Sequence, residues 1–216
     1  MASEPVLLQV GGLRPNSIGY VIMQRFLEGG WRVCIMDLPT VVFDAKHILP
    51  GCMHYATDLC NDEHIDLAIA CIADNEPELK AMIYTAGYNR IGPVENYRID
   101  DFEKTLRLNL VAPFICIQTL VKKRIEYNRI RNNDDPFGIV ILGSNTSYIA
   151  KTNTAAYGAS KAGVNHMAAC LNRELALKGY FVTTLNFGPV SGTDMDRVTR
   201  AELHWQRGWD DEQYEN

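Results

Sequence analysis

The sequence VLLQVGGLRPNSIG, residues 6–19, decides the fold. Its apolar run from Val6 to Val10 predicts a buried strand that ends at Gly11 and Gly12. From Ser17 to Glu28 the apolar residues recur at helical spacing, and a glycine pair follows, so a helix is predicted there. The chain therefore begins with a strand, a glycine-rich turn and a helix.

The same alternation of strands and helices continues along the chain. Further strands are predicted at Trp31–Met36, Cys52–Ala56, Ala81–Tyr84, Gly138–Leu142 and Phe181–Leu185. Further helices are predicted at Asp62–Ala73, Asp100 to about Arg129, and Thr154–Lys178. Strands that are apolar throughout are typical of sheets covered by helices on both faces. The alternation predicts an α/β fold with one parallel sheet of about six strands, and ligands are expected beyond the carboxyl ends of those strands.

Composition narrows the class of protein. The chain has 216 residues, 47% of them hydrophobic, which suits one domain with a substantial core. A net charge of -5 argues against a nucleic-acid partner, and no apolar run has the length of a membrane span. The start, Met1 to Glu4, does not resemble a signal peptide, and six scattered cysteines without a CxxC pair predict mostly buried, reduced thiols. We therefore expect a cytoplasmic protein.

The turn after the first strand is a candidate binding site for a pyrophosphate. Glycines allow the backbone to approach the phosphates closely, and the helix that follows offers unpaired N–H groups and the positive end of its dipole. The candidate residues are Gly12, Asn16, Ser17, Ile18 and Gly19. The alternative is that these glycines only punctuate the chain between a strand and a helix.

Asp37 favours a nucleotide with a free ribose. It lies at the end of the second predicted strand, 25 residues after Gly12. A carboxylate at this place accepts hydrogen bonds from the adenosine ribose hydroxyls and repels a 2′-phosphate, so NAD is predicted and NADP is less favoured. Arg14 favours the opposite preference, because it can pair with a phosphate. Alternatively, Asp37 only forms the turn before Leu38 and Pro39.

A second group of polar residues predicts acid–base chemistry. Tyr157 and Lys161 are four residues apart in a predicted helix, so both side chains can face one pocket, where an ammonium lowers the pKa of a phenol. Ser144, 13 residues before Tyr157, can polarise a substrate carbonyl from the end of the fifth strand. Asn109 lies in an apolar helical stretch, where it either holds a proton-relaying water or bonds a neighbouring backbone carbonyl.

These motifs together resemble the short-chain dehydrogenase/reductase family over residues 5 to 195. The sequence from Tyr157 to Val164 is similar to the family signature, and Thr85-Ala86-Gly87 resembles its Asn-Ala-Gly motif. Asp58 and Leu59 match its adenine contact, and Phe187-Gly188-Pro189-Val190 with Thr193 resembles its nicotinamide-binding segment. The cofactor residues that the resemblance implies are Gly12, Asn16, Ser17, Ile18, Gly19, Asp37, Asp58, Leu59, Ala86, Gly87, Tyr157, Lys161, Pro189, Val190 and Thr193.

The resemblance also implies a mechanism and an architecture. Tyr157 would be the general acid/base, Lys161 would lower its pKa and bind the nicotinamide ribose, Ser144 would orient the substrate oxygen, and Asn109 would support the proton relay. The expected protein is an NAD(H)-dependent oxidoreductase for a small carbonyl or alcohol, built as a homodimer or homotetramer. Its fold would be a Rossmann-like, doubly wound domain over residues 1–195 with a short polar tail over 196–216, lacking the family's seventh strand.

Several positions depart from the family pattern. Gly11 replaces a threonine, one extra residue precedes Ile18-Gly19, Thr85 replaces an asparagine, and Phe187 replaces a proline. The irregular loop and the polar tail leave a second hypothesis open, in which the protein is a weak or inactive NAD-binding partner or regulator. A third hypothesis keeps the enzyme but assigns it an epimerisation or dehydration. The sequence does not specify the substrate.

Overall fold

The computed structural model describes residues 4–42, 49–131 and 135–207. Within these ranges the strands are β1 (Val6–Val10), β2 (Arg32–Asp37), β3 (Cys52–Ala56), β4 (Leu79–Tyr84), β5 (Phe137–Ser144) and β6 (Tyr180–Phe187). They form one parallel sheet in the order β3-β2-β1-β4-β5-β6. The order reverses direction at β1, which opens a crevice between β1 and β4 at their carboxyl ends. The predicted six-stranded, doubly wound sheet is confirmed.

Helices connect the strands and cover the sheet. They are α1 (Ile18–Glu28), α2 (Pro39–Val42), α3 (Asp62–Asn75), α4 (Ile99–Leu106), α5 (Ala112–Arg131), α6 (Ala155–Leu175) and α7 (Asp194–Arg207). Short 3₁₀ turns lie at Val94–Asn96, Asn145–Ser147 and Ala176–Lys178. A π-helical turn, Arg107–Val111, joins α4 to α5 without a break. The long helix predicted from Asp100 to about Arg129 is therefore present, but with an irregularity at its centre.

Each face of the sheet carries its own core. In one core, the even-numbered residues of β1, such as Leu8, pack against α3, α5 and α6. The other packs Leu7, Val33 and Ile35 against α1, where Met23 is fully buried. Successive side chains of a strand point to opposite faces, so this division follows from the continuous apolar runs of the sequence. Helices cover both faces, as predicted.

The β6 edge is less covered than the centre of the sheet. Tyr180 and Val182 point into the core, whereas Phe181 and Leu185, on the opposite face, are 62% and 47% exposed. On that face the second core extends to Val140 and Leu142 of β5 and to Phe187 at the end of β6, but neither Phe181 nor Leu185 belongs to it. β6 therefore forms a partly apolar edge in the described part of the chain.

The last described element lies in the predicted polar tail. α7 begins at Asp194, so the predicted domain boundary at residue 195 falls inside a helix; residues 208–216 lie outside the described residues. The prediction that most cysteines are buried was wrong. Cys34 and Cys116 are buried, whereas Cys60, Cys71 and Cys170 are exposed. Among the described residues, no helix has the length and apolar character needed to cross a membrane.

Candidate active site

The carboxyl ends of the central strands meet in one cleft. The backbone amides of Thr85 and Ala86, which follow β4, donate to the carbonyl of Val10 at the end of β1 (2.8 and 3.0 Å). The amide of Gly11 donates to the carbonyl of Met36 in β2 (2.6 Å). These bonds hold the turn after β1 between its two neighbouring strands. The predicted nucleotide residues are therefore gathered where the strand order reverses.

The glycine turn requires glycine for two reasons. Gly11 and Gly12 have φ angles of 78° and 84°, a region that residues with a side chain rarely adopt. A Cβ on Gly12 would lie 2.6 Å from both Gly19 Cα and Thr85 Oγ1. Helix α1 can therefore approach β4 closely, which leaves the turn and the helix N-terminus available to a pyrophosphate.

Gln9 is a functional residue that the sequence analysis missed. It is fully buried in β1, and its Nε2 donates to the carbonyls of Gly11 (3.0 Å) and Gly19 (2.9 Å). The side chain thus joins the beginning of the turn to the first turn of α1. The family's threonine is absent at Gly11, and Gln9 supplies a bracing contact from two residues earlier. The signal was a single polar residue in an otherwise apolar strand.

Ser17 fixes the other end of the turn. Its Oγ accepts from the amide of Tyr20 (3.1 Å), which caps the N-terminus of α1, and lies 2.9 and 2.7 Å from the carbonyl oxygens of Gly12 and Arg14. The predicted helix start at Ser17 is thus the cap residue. The extra residue in the turn is accommodated in a compact loop closed by one hydroxyl group.

Asp37 also contacts this turn. Its Oδ2 accepts from the amide of Leu13 (3.0 Å) and its Oδ1 from the amide of Leu38 (2.8 Å). The second bond matches the turn-forming alternative, and the first ties β2 to the glycine turn. Each carboxylate oxygen has a further lone pair, so the same group can still accept a ribose hydroxyl.

Asp58 and Leu59, the predicted adenine contacts, follow β3. The Oδ1 of Asp58 accepts from the amide of Cys60 (2.9 Å), and the side chain of Leu59 is buried.

Tyr157 and Lys161 occupy successive turns of α6. The Lys161 Nζ lies 5.7 Å from the centroid of the Tyr157 ring and donates to the carbonyl of Leu142 (2.7 Å). Lys161 is only 4% exposed, and burial lowers its pKa to about 8. Burial disfavours the ammonium, whereas a neighbouring phenolate or a bound hydroxyl would favour it. Lys161 therefore lies close enough to the Tyr157 ring to favour a phenolate electrostatically.

Ser144 ends β5 beside this pair. Its Oγ accepts from the amide and the hydroxyl of Thr146 (3.2 and 2.9 Å), which fixes the rotamer at the start of a 3₁₀ turn. Because Oγ is the acceptor in both contacts, its proton can be donated to a substrate oxygen. Lys161 is bonded to Leu142, two residues before Ser144, so the three polar groups share the end of β5.

Asn109 supports the loop after β4. It lies in the π-helical turn, is 1% exposed, and pairs with the backbone of Tyr88 through Oδ1 (2.8 Å) and Nδ2 (2.9 Å). Its Nδ2 also donates to Ser160 Oγ (3.0 Å), next to Lys161. Of the two alternatives from sequence, the structure shows the bond to a neighbouring backbone carbonyl. π-Helical turns are common at functional sites, and this one places Asn109 between the β4 loop and α6.

The β4 loop is where these residues converge. A Cβ built on Gly87 would lie 3.4 Å from Asn109 Oδ1 and 4.0 Å from Lys161 Nζ. Of the predicted set, Asn109 and Lys161 therefore lie next to Gly87. Tyr157 lies next to Lys161, and Ser144 follows by two residues the carbonyl of Leu142, to which Lys161 donates.

The segment after β6 forms the remaining wall. Pro189 and Val190 are exposed beside the cleft, and Thr193 caps α7 by accepting from the amide of Asp196 (3.1 Å) and donating to the carbonyl of Val190 (3.1 Å). Met195, on the first turn of α7, lies with its Sδ 4.0 Å from the Tyr157 hydroxyl. Met195 was missed, because nothing in the sequence distinguishes it from other residues of the polar tail.

The fold and site define a nucleotide-binding α/β protein with a tyrosine–lysine pair at the end of its sheet. A family model described as short chain dehydrogenase matches residues 10–204. The chain belongs to that family, and the resemblance drawn from the sequence is confirmed.

Individual relatives are distant. The chain is 27% identical to the rhamnolipids biosynthesis 3-oxoacyl-[acyl-carrier-protein] reductase of Pseudomonas aeruginosa, over 79% of this chain and 66% of the relative. It is 25% identical to a 2-dehydro-3-deoxy-L-rhamnonate dehydrogenase (NAD(+)) of Sphingomonas, over 89% of this chain and 75% of the relative. A short chain dehydrogenase structure from Francisella tularensis matches with a TM-score of 0.79 at 23% identity, over 96% and 78% of the two chains. The chain spans about two thirds of the length of the first relative.

Proposed function

We propose that the protein is an NAD(H)-dependent oxidoreductase that interconverts an alcohol and a carbonyl on a small substrate. The observation that carries the proposal is the Tyr157–Lys161 pair on one face of α6, with Lys161 buried and Ser144 at the adjacent strand end. An NAD-binding scaffold without catalysis has no chemical need for a buried lysine beside a phenol.

Each side chain has a role in this chemistry. NAD(H), when bound, supplies or takes up the hydride. Tyr157 donates a proton to the substrate oxygen during reduction and accepts one during oxidation. Lys161 stabilises the phenolate that forms, and Ser144 donates a hydrogen bond that orients the substrate oxygen. Asn109 acts indirectly, because its amide holds the Tyr88 backbone and Ser160 in place.

The residues of the cleft fit a dinucleotide. The glycine turn leaves the N-terminus of α1 open for a pyrophosphate, and the Asp37 carboxylate lies beside it at the end of β2. A carboxylate at this place disfavours the 2′-phosphate, so NAD is the preferred cofactor and NADP the weaker one. The name of the Sphingomonas relative specifies NAD(+), which agrees with this preference.

The proposal extends to substrate, assembly and location. The two named relatives act on a 3-oxoacyl group carried by a protein and on a sugar-derived acid, so carbonyl or alcohol chemistry is common to both and the substrate class differs. Exposed Phe114 and Ile125 on α5 support a homodimer or homotetramer built through the α5 and α6 surface. A cytoplasmic location is part of the same proposal.

A titration with NADH and NADPH, followed by nucleotide fluorescence, tests the proposal first. Saturable NADH binding, with NADPH weaker by about tenfold or more, is expected from charge repulsion at Asp37. NADH oxidation with a panel of small ketones should follow. Binding of neither nucleotide would contradict the proposal and favour the non-catalytic partner.

A further inference from the structure

We propose that the substrate is apolar next to its reacting carbon: a ketone or secondary alcohol whose carbon chain lies against Met195 and Val198 of α7. The inference rests on the proposed function, because it describes what the same Tyr157 phenol would protonate. It goes further by choosing between aliphatic substrates and polyhydroxylated ones. The choice depends on which side chains surround the phenol.

Met195 lies closest to the reacting position. Its Sδ is 4.0 Å from the Tyr157 hydroxyl, and its Cε would be 3.7 Å from a Cβ built on Gly87. The side chain is 39% exposed, so it presents an apolar surface to the cleft and not to the core. A substrate carbon chain next to the phenol would contact a thioether and methyl group, which form dispersion contacts and only weak hydrogen bonds.

Val198 extends this surface by one turn of helix. Residues three apart share a face of a helix, so Val198 lies beside Met195, and it is 52% exposed. The orientation of α7 is fixed at both ends of this pair. The amide of Asp194 donates to the carbonyl of Asn16 in the glycine turn (3.1 Å), and Asn89 Nδ2 donates to Thr199 Oγ1 (3.3 Å). α7 is therefore anchored to the loops after β1 and β4, which holds Met195 against the cleft and brings Val198 to the same face of the helix.

The turn after β5 contributes apolar residues near the other side of Ser144. Tyr148 and Ile149 follow Ser144 by four and five residues and are 68% and 48% exposed. Their amides both donate to the carbonyl of Asn145 (3.2 and 2.9 Å), so the turn is folded tightly next to the catalytic serine. Exposed large apolar side chains thus belong to both segments that adjoin the tyrosine and serine.

Two polar side chains in the same region, Asp196 and Thr146, are bonded to the protein, whereas the Oδ1 of Asn89 is buried without a hydrogen-bond partner among the described residues. Asp196 accepts from Arg200 Nε (3.1 and 3.2 Å) and from the amide of Gly192 (3.0 Å), and Thr146 is bonded to Ser144. A polyhydroxylated substrate would give up hydrogen bonds to water against an apolar wall, which costs free energy, whereas an aliphatic chain gains from the same burial.

The inference is tested by steady-state reduction of 2-butanone, 2-hexanone, 2-octanone and 1,3-dihydroxyacetone with NADH. The expected kcat/KM rises by about fourfold for each added methylene, as burial of a methylene group predicts. Met195→Asn should lower the preference for 2-octanone over 1,3-dihydroxyacetone by about tenfold. Met195→Leu, the matched control, should retain that preference.

A binding measurement separates this inference from the proposed function. Calorimetric titration of the NADH-loaded protein with 2-octanol, a pair between which no hydride can pass, should show binding that Met195→Asn weakens and Met195→Leu retains. Failure to bind NADH, or failure to reduce any ketone while 2-octanol binds, would count against the proposed activity. Preference for 1,3-dihydroxyacetone, or a ratio unaffected by Met195→Asn, would overturn the apolar substrate and direct attention to the amide of Asn89.

Discussion

The catalytic end and the nucleotide end of the cleft use different means to reach a functional geometry. At the catalytic end, the proposed set of Tyr157, Lys161, Ser144 and Asn109 follows the pattern that the sequence resemblance implies. At the nucleotide end the motif is irregular, yet the turn is held by contacts from several directions. Acid–base chemistry depends on particular functional groups, whereas a phosphate-binding turn depends on backbone shape, which different side chains can stabilise.

The largest effect is expected from removing the phenol. Tyr157→Phe should lower kcat by about 10³-fold, since general acid–base catalysis contributes on that order, while the NADH dissociation constant is retained. Steady-state kinetics and a nucleotide titration measure the two quantities. Tyr127→Phe, which removes the hydroxyl of a tyrosine near Glu76 and Leu79 at the amino end of β4, serves as the control and should keep kcat. Turnover retained in Tyr157→Phe would refute the catalytic assignment.

The nucleotide end should respond to the loss of a bracing residue that takes no part in chemistry. Gln9→Met keeps the volume of the buried side chain but removes both hydrogen bonds to the turn, so the NADH dissociation constant should rise by about tenfold. kcat at saturating NADH should change little. Leu8→Met, on the same buried strand, is the matched control. Equal NADH affinity in both variants would show that the turn holds its shape without Gln9.

A smaller effect concerns the choice between nucleotides. Asp37→Asn removes the charge and one of the acceptors for Leu13 and Leu38, so the NADH preference over NADPH should fall by about fivefold to tenfold, with a modest loss of NADH affinity. Parallel fluorescence titrations give both constants. Asp58→Asn removes a carboxylate one strand away and should leave the preference unaltered. An unchanged preference in Asp37→Asn would assign Asp37 to the turn alone.

The last effect is on stability and not on binding or turnover, and it comes from the buried lysine. The Lys161 pKa is lowered from 10.5 to about 8, so between these values the unfolded chain holds a proton that the folded chain has released. The free energy of unfolding of the wild type, relative to Lys161→Met, should therefore increase with pH from 8 toward 10, by at most about 1 kcal/mol per pH unit.

Urea unfolding at pH 7.5, 8.5 and 9.5 would measure this increase. Lys151→Met, at an exposed position, provides the control, and its difference from the wild type should stay nearly constant over the same range. A flat difference for Lys161→Met as well would mean that a partner inside the folded protein keeps the ammonium charged.

The strands and the position of the cleft could be predicted from the sequence, because apolar runs and their polar ends are local features. The loop contacts could not. In the sequence, Gln9 is one polar residue in an apolar strand. Its contact with the turn exists only because the chain folds Gly19, ten residues away, back onto its side chain. The position of Met195 next to Tyr157 depends on the direction in which α7 runs after β6. Both are consequences of tertiary packing that a pattern along the chain does not contain.

The proximity of Tyr157 and Lys161 could be predicted for a different reason, and their catalytic role stays a prediction. The Tyr157–Lys161 spacing is fixed by one turn of a helix, so the sequence alone brings the two groups to one face. Asn109 shows the limit of that logic. Its amide is bonded directly to the backbone of Tyr88, and this contact could not be predicted from the sequence.

The π-helical turn at Arg107–Val111 limits where this protein can accept inserted or deleted residues. One extra residue in a helix rotates the residues that follow by about 100° about the helix axis. The side chains of α5 therefore point in directions rotated from those that a regular continuation of α4 would give. Deleting one residue there would restore a regular helix, but it would rotate the α5 core residues Cys116 and Leu120 out of the sheet interface or Asn109 away from Tyr88. Insertions and deletions are therefore expected to be tolerated in the surface loops and rejected inside this helix.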